Sequence, residues 1–137
     1  MPPRVDGLLE TSLYVADLDR SVSFYSELFG FKLIHSEGDR LRALSIEGKQ
    51  VLLLFRVGAS KDDTQTANGR IPSHDGQGTL HLAFAISVET VQSWRDRLRS
   101  RSIRIESEVH CGGQSIYFRD PDGHLVELIT PGCWPIY

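Results

Sequence analysis

Two glutamates and one histidine have the side chains and the positions needed to hold a divalent metal ion. Glu10, His81 and Glu127 each lie in a short segment whose alternation of residue types is typical of a β-strand. Because strand side chains alternate between faces, we expect all three to point away from the helices. Glu127 is the most unusual of them, since Leu125 and Ile129 share its face and an unpaired buried carboxylate is costly. Two carboxylates and an imidazole suit Mn²⁺, Fe²⁺, Ni²⁺ or Zn²⁺.

Two further side chains are candidates for a role in catalysis beside Glu127. Tyr117 lies in the preceding strand, where its hydroxyl would donate a hydrogen bond to a substrate oxygen or its ring would simply pack in the sheet. His74 follows a long polar segment, and a histidine side chain can act as a general acid or base near neutral pH. The alternative for His74 is an exposed loop histidine.

The elements that would position these residues occur twice along the chain. In the first half we predict strands at 8–16, 31–36, 40–47 and 50–56. A helix follows the first strand, beginning after the N-cap residue Asp17 and ending at Gly30. In the second half we predict strands at 79–86, 103–109, 114–119 and 124–130. Ser87 is expected to cap the second helix, and an offset of 71 residues aligns Glu10 with His81.

This repeat predicts an α+β fold made of two tandem βαβββ modules. We expect a single domain over 1–137, with module one at about 8–57 and module two at about 79–131. A loop at 58–78 joins the modules, and it is longer than two strands need. Such a loop in a small domain is usually functional or disordered, so it is either a lid or an arm that binds a partner.

Composition and charge exclude several classes of protein. A formal charge of −3 provides no basic surface for phosphates, so we expect no nucleic-acid partner. The longest apolar run is 51–55, too short to cross a bilayer, and the N-terminus has no apolar signal region. We therefore expect a cytoplasmic protein without membrane association. Cys111 and Cys133 are then expected to be reduced thiols.

Two segments of the chain resemble the vicinal oxygen chelate superfamily. They are Leu-Tyr-Val-Ala-Asp-Leu-Asp-Arg-Ser at 13–21, continuing to Phe31, and Tyr-Phe-Arg-Asp-Pro-Asp-Gly-His-Leu-Val-Glu-Leu at 117–128. The superfamily includes glyoxalase I, ring-cleaving dioxygenases, and fosfomycin and bleomycin resistance proteins. The resemblance implies that the modules form an open, barrel-like mixed sheet around a divalent metal, with the helices outside.

The resemblance also implies where the metal ligands lie. The superfamily draws them from the first and last strand of each module, and the matching positions here are Glu10, Leu53, His81 and Glu127. Leucine cannot bind a metal, so the site has at most three protein ligands. That leaves positions open for water or for a substrate with two oxygens, as a catalytic metal needs.

The function implied by this resemblance is a metal-dependent, glyoxalase-like lyase or isomerase that chelates vicinal oxygens of a small substrate. One alternative is a ring-cleaving dioxygenase, although those enzymes use two histidines and one carboxylate. A second alternative is a binding protein of the bleomycin-resistance kind, without catalysis. The resemblance further implies a homodimer.

Overall fold

The structure is a computed structural model that describes all 137 residues of the chain. The residues form two compact units, which we call unit 1 (Met1–Gln77) and unit 2 (Gly78–Tyr137). The boundary between them coincides with the end of the linking loop predicted at 58–78. None of the helices has the length and apolar character needed to cross a membrane.

Unit 1 contains a four-stranded mixed sheet, one helix and a small hairpin. Their bounds are β1 Glu10–Val15, α1 Leu18–Phe29, β2 Lys32–Glu37, β3 Leu41–Ile46, β4 Gln50–Arg56, β5 Thr64–Thr66 and β6 Gly69–Ile71. The main sheet has the order β1-β4-β3-β2, with β1 parallel to β4 and the other pairs antiparallel. Helix α1 begins and ends as predicted: the Asp17 carboxylate accepts from the Arg20 backbone N–H at 3.0 Å, and Gly30 is left-handed with φ 76°.

Alternate residues of the first sheet form the core of unit 1. The most deeply buried strand side chains are all apolar and belong to one face: Leu13, Val15, Leu44, Leu52 and Leu54. Helix α1 contacts the two central strands, β3 and β4. Because side chains alternate along β1, the opposite face carries Glu10, Ser12 and Tyr14.

Unit 2 repeats the connections of unit 1. Its elements are β7 His81–Ala85, a 3₁₀ turn Val88–Thr90, α2 Val91–Ser100, β8 Ser107–His110, β9 Gln114–Arg119 and β10 Leu125–Ile129. The sheet order β7-β10-β9-β8, with β7 parallel to β10, matches the order in unit 1 strand for strand. The predicted α+β fold of two βαβββ modules is therefore confirmed.

The start of the second helix differs from the prediction. Ser87 precedes a 3₁₀ turn rather than the α-helix itself, and its hydroxyl makes no capping hydrogen bond to the backbone. Instead, the Thr90 hydroxyl donates to the Ser87 carbonyl oxygen at 2.8 Å. The tighter turn uses local i to i+3 bonding before α2 begins at Val91.

The prediction that both cysteines are reduced was wrong, because Cys111 and Cys133 form a disulfide with Cα atoms 4.8 Å apart. The two loops can approach this closely because three glycines lie where they meet. A Cβ atom on Gly113 would be 2.3 Å from the Pro131 carbonyl oxygen, and one on Gly132 would be 2.5 Å from a backbone oxygen. Such contacts between distant loops leave no signal in cysteine spacing.

The long loop contains a structural element that the sequence did not predict. Strands β5 and β6 form an antiparallel hairpin inside the predicted loop. The Asp63 carboxylate holds its base, accepting from the Ser73 backbone N–H at 2.9 Å and from the Arg70 guanidinium at 2.6 Å. After the hairpin the chain returns to the body of unit 1, where the His74 backbone N–H donates to the Ser60 carbonyl oxygen at 2.9 Å.

Candidate metal centre

Glu127 occupies the centre of the sheet in unit 2. It lies on β10, between β7 and β9, and only 7% of its surface is exposed. The Ser115 hydroxyl donates to Oε2 of this carboxylate at 2.5 Å. One carboxylate oxygen is thus held by the protein, while Oε1 remains directed at a different neighbour. The burial of Glu127 agrees with the sequence, in which this carboxylate shares its strand face with two apolar residues.

That neighbour is His81, on the adjacent strand β7. Its Nδ1 lies 3.0 Å from the carbonyl oxygen of Leu125, its partner in the strand register. A carbonyl oxygen can only accept, so Nδ1 carries the proton, and Nε2 of the neutral imidazole has the free lone pair. Nε2 lies 3.2 Å from Glu127 Oε1. The backbone therefore fixes the tautomer that can bind a metal, as the outer hydrogen bonds of metal-bound histidines commonly do.

This pair of side chains fits a divalent metal ion. The Nε2 lone pair and the ionised Oε1 are both acceptors, so they attract each other only when a proton or another cation is shared between them. An imidazole nitrogen and a carboxylate oxygen are common ligands of Mn²⁺, Fe²⁺, Ni²⁺ and Zn²⁺. Half of the His81 side chain is exposed, which gives an ion access to the pair from solvent.

Tyr117 lies beside the same carboxylate. It is the register partner of Glu127 on β9, and its ring centroid is 6.4 Å from that of His81. Burial raises the pKa of the Tyr117 hydroxyl, and the hydrogen bond to Glu127 and its charge raise that pKa further. A hydrogen bond with Ser115 acts in the opposite direction. The phenol is therefore protonated at neutral pH and donates to the Glu127 carboxylate.

Glu10 and Leu53 belong to unit 1. Glu10 is exposed at the start of β1 and pairs in register with Val51. His81 pairs with Leu125 in the same way, so Leu53 and Glu127, two residues further along, occupy equivalent positions. No group of three or more histidine, cysteine, aspartate or glutamate side chains that could hold a metal occurs in the structure. The role of Glu10 as a third ligand stays a prediction.

His74 lies in unit 1 as well, and it is not isolated in solvent. Its Nδ1 is 2.7 Å from the Tyr14 hydroxyl, and its ring packs edge-on against Phe55 with centroids 4.4 Å apart. The structure thus places the predicted site residues in two groups, one around Glu127 and one around His74. Each group includes a residue that the sequence reading missed, Ser115 in unit 2 and Tyr14 in unit 1.

Comparison with known proteins agrees with the fold. A family model described as the glyoxalase/bleomycin resistance protein/dioxygenase superfamily matches residues 7–128. The fosfomycin resistance protein FosX of Listeria monocytogenes is 32% identical over 130 residues, which cover 90% of this chain and 89% of FosX.

Comparison with solved structures also finds proteins with this fold. A lactoylglutathione lyase from Agrobacterium tumefaciens superposes with a TM-score of 0.85 at 32% identity, covering 98% of this chain and 99% of that one. A Listeria monocytogenes FosX variant, with a TM-score of 0.67 at 27% identity over 92% of this chain and 90% of its own, holds Mn(II) and 1S,2S-dihydroxypropylphosphonic acid. The family match over residues 7–128 confirms the resemblance seen in the sequence, and the chain belongs to the glyoxalase/bleomycin resistance protein/dioxygenase superfamily, the vicinal oxygen chelate proteins.

Proposed function

We propose that this protein is a metal-dependent, glyoxalase-like lyase or isomerase acting on a small substrate with two neighbouring oxygen atoms. The observation that carries the proposal is the hydrogen bond from His81 Nδ1 to the Leu125 carbonyl oxygen, which directs a free Nε2 lone pair at Glu127. We propose His81 and Glu127 as two metal ligands, with Glu10 as the third. A divalent metal bound there would act as a Lewis acid on the substrate oxygens and stabilise negative charge as it develops.

The residues around this pair have separable roles in the proposal. Ser115 holds Oε2 of Glu127, so the carboxylate keeps Oε1 in place for the metal. Tyr117 is protonated at neutral pH, and we propose that its hydroxyl turns from Glu127 to donate a hydrogen bond to a substrate oxygen when substrate binds. Proton transfer to or from carbon requires an acid or base near neutral pH, and we propose the Glu127 carboxylate for this step, with His74 as a second catalytic group.

Fosfomycin is the second candidate substrate. FosX shares 32% identity with this chain over 130 residues. The diol phosphonate in the FosX structure also carries two vicinal oxygens, so it belongs to the same chemical class as the substrates proposed above. In that case one water molecule would add across the epoxide ring of fosfomycin to give a vicinal diol: the water oxygen bonds to one ring carbon, the C–O bond of that carbon breaks, and the released oxygen takes up a proton. A metal held by His81 and Glu127 would polarise the released oxygen, and Tyr117 would donate a hydrogen bond to it.

A substrate screen on protein loaded separately with Mn²⁺, Fe²⁺, Ni²⁺ or Zn²⁺ tests these assignments. We expect formation of lactoylglutathione from methylglyoxal and glutathione, followed by its thioester absorbance. Conversion of fosfomycin, followed by ³¹P NMR, would favour the second candidate. Oxygen uptake with a catechol would contradict the lyase assignment and indicate a dioxygenase. A protein that binds none of the four ions would contradict both enzyme assignments and leave a binding protein.

The proposal includes a homodimer as the working form. Sedimentation at several protein concentrations measures the oligomeric state directly. A monomer at all concentrations that nevertheless turns over substrate would show that one chain suffices.

Replacing Ser115 by alanine tests the part of the site that holds Glu127 in place. We expect Mn²⁺ binding to weaken by about tenfold, since losing an outer hydrogen bond to a ligand typically costs about 10–100-fold in metal affinity. Ser107→Ala is a suitable control, because Ser107 is an exposed residue of the neighbouring strand β8. Equal Mn²⁺ affinities for the two variants, measured by calorimetry, would show that Ser115 does not orient the carboxylate.

A further inference from the structure

Three aromatic rings meet near the ends of β1 and β4 in unit 1. Tyr14 and Phe55 are register partners whose ring centroids are 5.9 Å apart. His74 packs edge-on against Phe55 and lies 2.7 Å, through Nδ1, from the Tyr14 hydroxyl. Tyr14 shares its strand face with Glu10, four residues earlier, so this cluster lies on the face that carries a proposed ligand.

The backbone on both sides of His74 holds the imidazole in this position. Its own N–H donates to the Ser60 carbonyl oxygen at 2.9 Å, and the Asp75 carboxylate accepts from the Gly58 N–H at 3.2 Å. Gly76 lies directly against the Tyr14 ring, where an added Cβ would be 2.3 Å from a ring carbon. Any side chain at this position would push the segment away. The contact between Tyr14 and His74 is therefore built by the fold.

The proton between these two residues belongs to the phenol. Burial raises the pKa of Tyr14, and the Asp75 charge raises it further, so the hydroxyl keeps its proton at neutral pH. An imidazole nitrogen is a much stronger acceptor than a neutral phenol oxygen. The Tyr14 hydroxyl therefore donates to Nδ1, and the neutral His74 ring carries its own proton on Nε2.

Nε2 of His74 has no hydrogen-bond partner within the protein. Every buried side-chain nitrogen or oxygen in this structure has a hydrogen-bond partner. Because Nε2 has none, it is accessible to solvent. The neutral His74 ring thus has one accessible N–H, while its other nitrogen is held by the Tyr14 hydroxyl. A neutral imidazole N–H of this kind can polarise a carbonyl oxygen without transferring a full proton.

We propose that Tyr14 is a positioning residue that holds His74 as the neutral Nε2–H tautomer, so that His74 donates a hydrogen bond to a carbonyl oxygen of the substrate. A carbonyl oxygen is the fitting partner, because it accepts a hydrogen bond from an uncharged N–H. This inference rests on the proposed function and deepens it: His74 stabilises the oxygen that gains charge when a proton leaves carbon. Its role is that of a hydrogen-bond donor rather than of a free base.

Long-range ¹H–¹⁵N NMR of the histidine rings tests the tautomer in the full-length, metal-free protein without any substrate. The signals of His74 are assigned by their loss in His74→Gln. We expect the neutral wild-type ring to carry its proton on Nε2 alone. In Tyr14→Phe we expect both ring nitrogens to shift toward an average of the two tautomers. Tyr137→Phe is the matched control, since that hydroxyl interacts with a backbone oxygen of unit 2.

A wild-type ring protonated on Nδ1, or ring nitrogens that do not move in Tyr14→Phe, would overturn the inference. Either result is independent of metal binding, so it is distinguishable from failure of the proposed function.

On a substrate found in the screen, His74→Asn is expected to lower kcat about 100-fold. His74→Gln should recover about tenfold of that loss, because its amide N–H reaches the Nε2 position. Equal losses in both variants would indicate a free base and overturn the donor role.

Discussion

Glu127→Gln is expected to weaken Mn²⁺ binding by more than about 100-fold, since even outer-shell losses cost about 10–100-fold. The carboxylate is 7% exposed and lies 3.2 Å from His81 Nε2, so its charge would attract a cation to the His81 imidazole. Glutamine keeps the size of the side chain and removes that charge. The measurement is a calorimetric titration of metal-free protein with Mn²⁺, supported by the melting temperature with and without the ion.

Glu106→Gln is the matched control for this experiment. Glu106 is also a carboxylate of unit 2, but it is more exposed and is paired with the Arg119 guanidinium at 2.9 Å. We expect its substitution to leave Mn²⁺ affinity unchanged. If Glu127→Gln binds Mn²⁺ as tightly as Glu106→Gln does, Glu127 is not a ligand, and the proposed metal centre is wrong.

Removing the disulfide is expected to lower the free energy of unfolding by about 3 kcal/mol, as the loop-closure entropy of the unfolded chain predicts. Cys111 and Cys133 are 22 residues apart, and the bond between them limits the unfolded chain over that length. Urea unfolding of the double variant Cys111→Ser, Cys133→Ser, compared with the oxidised wild type, measures the difference.

A thiol reductant provides the control for this second prediction. Reduction should lower the unfolding midpoint of the wild type to that of the double variant and should leave the double variant unchanged. If the wild type does not respond to the reductant, the two sulfurs are not joined in the protein. The original expectation of two free thiols would then be correct.

Most of the fold could be predicted from the sequence because its signals are local. Asp17 and Gly30 mark the ends of α1 within a few residues of chain, and strands show their alternation within five or six residues. The repeat predicted the βαβββ order of elements along the chain in both units. The hairpin inside 58–78 was missed because its strands are only three residues long, and Asp63 stabilises it from outside the strands.

The candidate site was only partly visible in the sequence, for a physical reason. Glu127 stands out because strand parity places a carboxylate among apolar neighbours, and this needs only one strand. Ser115 and Tyr14 become meaningful only when the register between strands is known, since each acts on a residue at least 12 positions away. Parity already assigns Tyr14 to the face of Glu10, but the return of His74 to that face depends on the fold of the whole loop.

The shared register of the two sheets has a consequence for how such a protein evolves. The same position is Leu53 in one module and Glu127 in the other, and the next pair along on the same strand face is Phe55 and Ile129. One module can lose a charged residue while the other keeps it, because the strands of each sheet are hydrogen-bonded only to strands of the same unit. Divergence of the copies then leaves one half free to acquire new contacts, here the aromatic cluster on Phe55, without disturbing the half that keeps the acid. Selection for a new substrate would accordingly be expected to change the first half of the chain before the second.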